Sequence, residues 1–300
     1  MLLQKIELAK STIKVYMLRT DLLDPLTGGN KFFKLKYNME EAKRLKHDTI
    51  LTFGGSYSNH IAATAAVGKS FGIKTIGIIR GDEEKELNET LKTAMQNGMQ
   101  LHFMSREKYR IKEDENFINN LKDLFGDFYL IPEGGSNYLA VQGCREIRDF
   151  IEIDFDYICC PVGTAGTFAG ISISLKPNEK LIGFSCLQNG GFLTQKAEEL
   201  MSEYFQKLNA PPITFDERNQ IILDYHFGGY GKINQELIEF KQEFEEKNNI
   251  ELDYVYTSKM MYGIKDLIKK KFFKANSTVI AIHTGGIQGN SGFKLKMSGN

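Results

Sequence analysis

The sequence predicts an α/β protein in which open, mostly parallel twisted sheets are flanked by helices. Short runs rich in β-branched residues alternate along the chain with segments of helical periodicity, which is typical of strand–helix–strand units. Some runs, such as TVIAIH, are apolar on both faces, as expected of strands covered by helices on both sides. The 300 residues, 42% of them hydrophobic, are enough for one or two domains with a large core.

Eight segments are predicted to be strands because they are short, rich in β-branched residues and bounded by turn residues. In chain order they are TIKVYML (12–18), TILTF (49–53), KTIGII (74–79), MQLHFM (99–104), FYLIP (128–132), YICCPV (157–162), KLIGFSCL (180–187) and TVIAIH (278–283). Helical periodicity predicts helices at FFKLKYNMEEAKRL (32–45), HIAATAAVGKSFG (60–72), EKELNETLKTAMQNG (84–98) and QELIEFKQEFEEKN (235–248). The charged segment 106–115 is interpreted as a solvated helix face or loop.

The composition of the chain limits the classes of ligand that the protein is expected to bind. Lys plus Arg and Asp plus Glu are balanced at 38 each, so there is no basic field that would concentrate nucleic acid or anionic lipid. We therefore expect a small-molecule ligand, with no nucleic-acid partner and no membrane partner. The uncharged stretches 49–68 and 157–175 are long enough to span a membrane, but glycines and polar residues interrupt them. Each predicts a strand, a glycine loop and a helix instead.

The cysteines and the N-terminus give expectations about the compartment. The N-terminal MLLQKIELAK lacks the long apolar run of a signal peptide. The four cysteines form no CxxC pair and have no metal-ligand spacing with the five histidines, so we expect reduced thiols, no metal site and a cytoplasmic protein. These cysteines are Cys144, Cys159, Cys160 and Cys186.

Four glycine-rich clusters follow predicted strands. They are FGGSYSNH after TILTF, EGGSN after FYLIP, GTAGTFAG after YICCPV, and HTGG after TVIAI. In open parallel sheets, ligands bind beyond the carboxyl ends of the strands, where loops lead into helix N-termini. The sequence therefore predicts one large shared site built from these turns.

The segment VGTAGTFAG places small residues between a buried strand and a helix. Backbone N–H groups can converge on an anion there, and the helix dipole favours negative charge. The spacing GxxGxxxG differs from the dinucleotide fingerprint and from the P-loop. Taken alone, the segment is equally consistent with a phosphate-binding loop and with a purely structural tight turn.

Lys31 and Lys34 lie in GGNKFFKL, at the start of a predicted amphipathic helix. A lysine there is usually a solvated surface residue. Two preceding glycines and two following phenylalanines place Lys31 beside a core, however, and a desolvated lysine has a lowered pKa that favours imine formation with an aldehyde cofactor. Lys34, one helical turn on, would add a second positive charge.

The segment GGSYSNH places hydroxyl and amide groups at the N-terminus of the next predicted helix. Free backbone N–H groups at such a terminus suit a substrate carboxylate. The alternative is that Ser58 or Asn59 serves only as a helix cap.

Seven motifs occur in an order that resembles one known family. They are GGNKFFKL, FGGSYSNH, PEGGSN, VGTAGTFAG, HFGGYGK, DYVYTSK and HTGG. The chain is similar, from about residue 18 to 286, to the D-cysteine desulfhydrase and 1-aminocyclopropane-1-carboxylate (ACC) deaminase family. These are pyridoxal phosphate (PLP) enzymes of the tryptophan synthase β-like fold. The resemblance implies a large PLP-binding domain (1–40 with 141–300), a small domain (41–140), a cofactor in the cleft between them, and a homodimer.

The resemblance also implies how the cofactor is held. Lys31 would carry PLP as a Schiff base and later move protons, with Lys34 nearby, and Asn59 would bind the hydroxyl on the cofactor ring. The hydroxyl of Thr284 would face the pyridine nitrogen, with Thr257 close to it. The phosphate would lie on the loop formed by Gly163, Thr164, Ala165, Gly166 and Thr167.

Around the substrate, the resemblance implies a second set of residues. Ser58 would contact the substrate carboxylate or transfer a proton, with Asn59 and His60 beside it. Tyr256 would lie close to the ring, and Tyr230 would face the substrate.

Two threonines indicate which reaction this chain catalyses. As the family pattern has it, ACC deaminases carry Glu after the active-site tyrosine and Leu in the HTGG-like turn, whereas desulfhydrases carry hydroxyl residues; here the residues are Thr257 and Thr284. We therefore expect β-elimination of D-cysteine to pyruvate, hydrogen sulfide and ammonia. The alternatives are ACC deamination to 2-oxobutanoate and ammonia, and a non-catalytic nucleotide- or PLP-binding protein. Phe33 and Ser258 depart from the family pattern.

Overall fold

The strands form two separate sheets. The computed structural model describes residues 2–25, 27–82, 86–212 and 215–293. Within these residues the strands are β1 (Leu3–Ile6), β2 (Lys14–Leu18), β3 (Thr49–Gly55), β4 (Lys74–Arg80), β5 (Met99–Met104), β6 (Tyr129–Ile131), β7 (Tyr157–Val162), β8 (Lys180–Ser185), β9 (Asn219–Ile222) and β10 (Thr278–Ile282). A six-stranded sheet has the order β1-β2-β10-β7-β8-β9, and a four-stranded sheet has the order β5-β4-β3-β6.

Neighbouring strands run parallel in both sheets except for β1, which pairs antiparallel with β2 at one edge. The predicted class of open, mostly parallel sheets is confirmed, and so are all eight predicted strands. The edge strands β1 and β9 were not predicted, because LQKI and NQII are only four residues long and carry no run of β-branched side chains.

Helices cover both sheets. They are α1 (Asn30–Arg44), α2 (Asn59–Phe71), α3 (Glu89–Gln96), α4 (Arg106–Tyr109), α5 (Glu115–Phe125), α6 (Tyr138–Arg145), α7 (Gly166–Ser172), α8 (Leu193–Lys207), α9 (Gln235–Asn248) and α10 (Thr257–Lys269). The predicted helices α1, α2, α3 and α9 are confirmed. Helix α3 begins only after Asn88, whose side chain accepts a hydrogen bond from the N–H of Leu91. Of its predicted start, residues 84 and 85 lie outside the described part of the chain.

Side-chain alternation along the strands divides the core into layers. On the six-stranded sheet, Cys159 packs on the side of α9 and α10, whereas its neighbour Cys160 packs on the side of α6, α7 and α8. On the four-stranded sheet, α1, α2 and α3 cover one face and α4 with α5 covers the other. This is why the central strands are apolar on both faces.

Each of the two long uncharged stretches forms a strand, a loop and a helix, as predicted: β3 with α2, and β7 with α7. In the described part of the chain, no helix is long and apolar enough to cross a membrane. The four-stranded sheet uses strands between residues 49 and 131, and the six-stranded sheet uses strands on both sides of that range. The division into domains 1–40 with 141–300 and 41–140 stays a prediction.

A close helix–helix contact holds α1 in place. A Cβ atom at Gly143 of α6 would collide with the carbonyl oxygen of Phe33 in α1. We predict that Gly143→Ala lowers the free energy of unfolding by about 1–3 kcal/mol, because two packed backbones must separate. Denaturant unfolding measures this. The matched control is Gly191→Ala, where the added methyl meets open space; equal stability of the two variants would contradict the prediction.

Candidate active site

The GGNK segment lies directly against the HTGG turn that follows β10. Gly29 has a φ of 62°, in the left-handed region that favours glycine, and a Cβ atom there would overlap the backbone of Thr284. Helix α1 starts at the next residue, so Lys31 lies in its first turn. The backbone of this segment therefore fixes where the side chain of Lys31 begins.

Asn30 connects three of the predicted site elements. Its side-chain oxygen accepts a hydrogen bond from Nζ of Lys31 at 3.1 Å, and its Nδ2 donates to Oγ1 of Thr167 at 2.8 Å. Its backbone N–H donates to the carbonyl of Thr284 at 3.3 Å. The side chain of Asn30 thus links Lys31 to the loop that starts at Gly163. Sequence reasoning missed Asn30, although it stands beside Lys31 in the GGNK motif.

The side chain of Lys31 is partly buried. Burial and, secondarily, the positive charge of Lys34 lower the pKa of Lys31 from its usual 10.5 to about 7. A large fraction of Lys31 is therefore neutral amine at neutral pH, and only the neutral amine adds to an aldehyde. This agrees with the chemistry predicted for Lys31.

Lys34 is a buried cation whose contacts are neutral. Its Nζ donates to the carbonyl oxygen of Gly134 at 3.0 Å, to Oγ of Ser136 at 2.8 Å and to Oγ1 of Thr164 at 3.3 Å. No carboxylate of the described residues lies within ion-pair distance of it, and burial lowers its pKa to about 8. A buried charge without a counter-charge is costly. An anion beside Thr164 would remove that cost.

The loop from Gly163 to Thr167 leads from the end of β7 into the start of α7. Ala165 has a φ of 60°, a left-handed conformation that is uncommon for a residue with a Cβ atom, and α7 starts directly after it. A Cβ atom at Gly163 would lie 3.2 Å from the ring of Tyr256, and one at Gly166 would lie 3.1 Å from Nζ of Lys34. The glycines thus keep space between the loop, the tyrosine and the lysine.

On the opposite side lies the SNH loop, Ser58 to His60, at the start of α2. Ser58 caps the helix, because its Oγ accepts the N–H of Ile61 at 3.3 Å, so the capping interpretation is confirmed. Asn59 accepts a hydrogen bond from Nε2 of Gln288 at 3.1 Å, and its Nδ2 packs against Gly286 of the HTGG turn. The predicted roles of Ser58 and Asn59 toward substrate and cofactor stay predictions.

His60 lies behind this loop and is only 2% exposed. Thr52 donates its single hydroxyl proton to the carbonyl of Ile131 at 2.8 Å, so the 2.7 Å contact of Nε2 with Thr52 requires a proton on His60 Nε2. Burial, then the charges of Lys31 and Lys34, hold the pKa of His60 well below its usual value. A neutral, buried imidazole argues against direct contact between His60 and the substrate carboxylate.

Two tyrosines stand together at the mouth of the site. The hydroxyl of Tyr256 donates to that of Tyr230 at 3.4 Å, and their rings cross edge to face with centroids 6.0 Å apart. Burial is the main cause that raises the pKa of both phenols, so both stay protonated at neutral pH. They line a cavity of about 260 Å³ together with Asn59, Asp253 and Gly286.

The two threonines differ in what their hydroxyls contact. Thr257 is fully buried, and its Oγ1 donates to the carboxylate of Asp253 at 2.7 Å while it accepts the N–H of Asp253 at 2.9 Å. This geometry argues against a direct contact between Thr257 and a cofactor. The hydroxyl of Thr284 has no hydrogen-bond partner among the described residues, so it is available to a ligand.

Asp253 was not recognised from the sequence. Its carboxylate accepts the backbone N–H groups of Val255, Tyr256 and Thr257, each at 2.8 Å, in addition to the Thr257 hydroxyl. It therefore holds the start of α10 and, with it, Tyr256. The motif DYVYT does carry a signal, since an Asp side chain in a turn commonly accepts the backbone N–H two residues on, as Asp253 does from Val255.

These contacts bring Lys31, Lys34, the glycine loop and the tyrosine pair close together. A family model described as "Pyridoxal-phosphate dependent enzyme" matches residues 3–285. The chain belongs to this family of PLP-dependent enzymes. The resemblance found in the motifs and the predicted cofactor are confirmed.

Relatives and a solved structure show which members of the family this chain resembles. A Pyrococcus horikoshii protein named "Putative 1-aminocyclopropane-1-carboxylate deaminase" is 32% identical over 92% of this chain and 85% of its own length. A Thermotoga maritima protein of the same name is 32% identical over 93% of this chain and 91% of its own. The crystal structure of an ACC deaminase homologue superposes with a TM-score of 0.86 at 28% identity, covering 98% of this chain and 92% of that one. The tryptophan synthase β-like fold is thereby confirmed.

The residues present suit PLP. Lys31 offers a partly neutral amine for the aldehyde, and Lys34 is a buried cation without an anionic partner among the described residues. The space kept by Gly163 and Gly166 beside Lys34 suits the phosphate group.

We predict that Lys34→Met weakens PLP binding about tenfold or more, because a charge-assisted contact to the phosphate is lost. The same change raises the pKa of Lys31, since the charge of Lys34 is one cause that lowers it. The pH midpoint for covalent attachment of PLP, followed by absorbance, then moves above about 7. Lys36→Met is the control, since Lys36 pairs with Glu146 away from the glycine loop. Identical affinities and midpoints in both variants would contradict the prediction.

Asn30 gives a second prediction, in which two substitutions move the pH midpoint of PLP attachment in opposite directions. Asn30→Asp places a carboxylate against Nζ of Lys31, which stabilises the ammonium and moves the midpoint of PLP attachment to higher pH. Asn30→Ala removes the acceptor of the ammonium and moves the midpoint lower. Both midpoints are read from the rate of attachment at a series of pH values. Shifts in the same direction would show that Asn30 does not bind the Lys31 ammonium.

Proposed function

We propose that this PLP-dependent enzyme catalyses β-elimination of D-cysteine to pyruvate, hydrogen sulfide and ammonia, with Lys31 as the residue that carries the cofactor. When bound, PLP supplies an electron sink that stabilises negative charge at the carbon next to the substrate nitrogen. The remaining steps are proton transfers and substrate orientation, and they fall to side chains of this chain.

Lys31 suits the transfer of the α-proton. Its pKa of about 7 means that Nζ can accept a proton and release it again at neutral pH. Asn30 accepts a hydrogen bond from the same atom and would hold the ammonium while it carries that proton. Burial and, secondarily, the positive charge of Lys34 keep the pKa of Lys31 in this range.

The tyrosine pair suits protonation of the leaving sulfur. Tyr256 donates to Tyr230, so the hydroxyl proton of Tyr230 is not used in that bond and can point into the cavity. The raised pKa of Tyr230 keeps it a proton donor at neutral pH. At the SNH loop, the N-terminus of α2 suits the substrate carboxylate, with Ser58 and Asn59 at its edge.

The choice of D-cysteine depends chiefly on one observation, the hydroxyl of Thr284 in the turn after β10, which has no partner in the described part of the chain. In the family pattern, a hydroxyl at this turn goes with desulfhydrases and Leu with ACC deaminases. Thr257 stands where ACC deaminases carry Glu, and its hydroxyl is bound to Asp253. The neighbouring carboxylate of Asp253 is saturated by four hydrogen bonds, so it does not replace that Glu.

ACC deamination is the second candidate, because the relatives from Pyrococcus and Thermotoga carry that name at 32% identity. Its products would be 2-oxobutanoate and ammonia. A homodimer in a reducing, cytoplasmic compartment belongs to the same proposal. The four cysteines, which are buried and unpaired, support the reducing compartment.

We predict that the purified, PLP-loaded protein releases sulfide and pyruvate from D-cysteine faster than it forms 2-oxobutanoate from ACC. The two substrates are supplied separately at equal concentration, and sulfide and keto acids are quantified. Lys31→Ala is the control and is expected to lose both activities. Faster turnover of ACC would replace the proposal by its alternative, and an inert protein that still binds PLP would indicate a non-catalytic role.

A further inference from the structure

A second buried lysine lies just outside the site and has no part in the chemistry above. Lys259 is in the first turn of α10, three residues after Tyr256, and is 1% exposed. Its Nζ donates to the carbonyl oxygen of His226 at 2.9 Å and to that of Gly229 at 2.8 Å. Both acceptors belong to the loop that presents Tyr230.

The backbone of this loop is rich in glycine and in left-handed conformations. Phe227, Gly228, Gly229 and Gly231 all have positive φ angles, between 52° and 109°. Glycine loses more conformational freedom on ordering than any other residue, so three of them in five positions make the ordered loop costly. The backbone bonds inside the loop are short-range, such as the N–H of Gly229 to the carbonyl of His226 at 3.0 Å.

Lys259 connects the loop to the fixed start of α10. The carbonyls of His226 and Gly229 each accept a bond within the loop and a second bond from Lys259, and a carbonyl oxygen has two lone pairs for this purpose. Tyr230 follows Gly229 directly. The ammonium therefore links the backbone just before Tyr230 to α10, the helix that begins directly after Tyr256.

The burial of Lys259 is not explained by an ion pair. Its hydrogen bonds go to two neutral carbonyls, and none of the described carboxylates lies within ion-pair distance. Burial lowers its pKa, which shows that the ammonium is held at a cost. A hydrophobic residue would fill this position at no such cost, so the geometry of the two carbonyl bonds accounts for a lysine here.

We propose that Lys259 is a positioning residue that holds Tyr230 in place beside Tyr256 at the mouth of the active site. The proposal rests on the proposed role of Tyr230 opposite the substrate. Lys259 acts through the backbone of the loop and touches neither substrate nor cofactor. Its loss then slows turnover, because Tyr230 is displaced from the leaving sulfur, while the attachment of PLP to Lys31 is unchanged.

The test uses the whole PLP-loaded protein with Lys259→Met, which removes the ammonium and keeps a chain of similar length. Lys269→Met is the matched control, because Lys269 is exposed in the last turn of the same helix. We expect kcat/KM to fall about tenfold or more through a fall in kcat, because a displaced Tyr230 no longer protonates the leaving sulfur, with the PLP absorbance and its pH midpoint unchanged. Lys259→Arg retains two donors and is expected to restore part of the loss.

A second measurement follows the loop without any turnover. The chain contains no tryptophan, so Phe227→Trp introduces a single tryptophan into the loop, outside the tyrosine pair. Acrylamide quenching of this tryptophan is expected to increase when Lys259→Met is added and to stay constant with Lys269→Met. Unchanged quenching together with an unchanged kcat in a folded Lys259→Met protein would overturn the proposal.

The two measurements separate the possible failures. If the parent protein turns over neither D-cysteine nor ACC, the quenching result still decides whether Lys259 orders the loop, and only the proposed function fails. If Lys259→Met does not fold, Lys259→Gln is used, whose amide is too short to reach both carbonyls. Increased quenching in that variant supports the proposal, and quenching equal to that of the parent contradicts it.

Discussion

The site is organised around two lysines, the buried Lys34 and the partly buried Lys31, that no carboxylate of the described residues neutralises. Lys31 and Lys34 lie one helical turn apart; burial lowers the pKa of both, and the charge of Lys34 lowers that of Lys31 further. In most proteins such a pair would acquire an acidic partner or become exposed. Here the contacts are an amide, two hydroxyls and a carbonyl, so the cost of the two charges is offset only when an anion enters. The family's phosphate-bearing cofactor meets that requirement.

Close backbone contacts follow from this arrangement. The lysines can reach the glycine loop only if α1 begins against the HTGG turn and packs closely on α6. Gly29 and Gly143 make those two approaches possible, since a Cβ atom at either would overlap a neighbouring backbone. At the loop itself, Gly166 leaves room beside Nζ of Lys34. The glycine content of the motifs is thus a consequence of where two amines must lie.

Local patterns in the sequence were sufficient for eight of the ten described strands and for four of the described helices. Strands such as β7 and β10 and the glycine turns after them follow from periodicity and from the rule for open parallel sheets. The contacts of Asn30, Asp253 and Lys259 could not be read in the same way, because each depends on hydrogen bonds that form only after folding. The same limit explains why Thr257 was expected near the cofactor. The sequence shows only that it follows Tyr256, and the fold shows that its hydroxyl is bound to Asp253.

The state of Asp253 also bears on which substrate bond breaks. A carboxylate facing the cofactor's ring nitrogen would favour protonation of the ring and make the electron sink stronger. Asp253 accepts four hydrogen bonds at the start of α10 and is not available for this, which leaves the neutral hydroxyl of Thr284. A weaker sink is sufficient when the departing group is a thiolate, since sulfur itself takes the electron pair. Opening the cyclopropane ring of ACC offers no such leaving group, and this difference is the physical reason behind the proposed β-elimination of a cysteine.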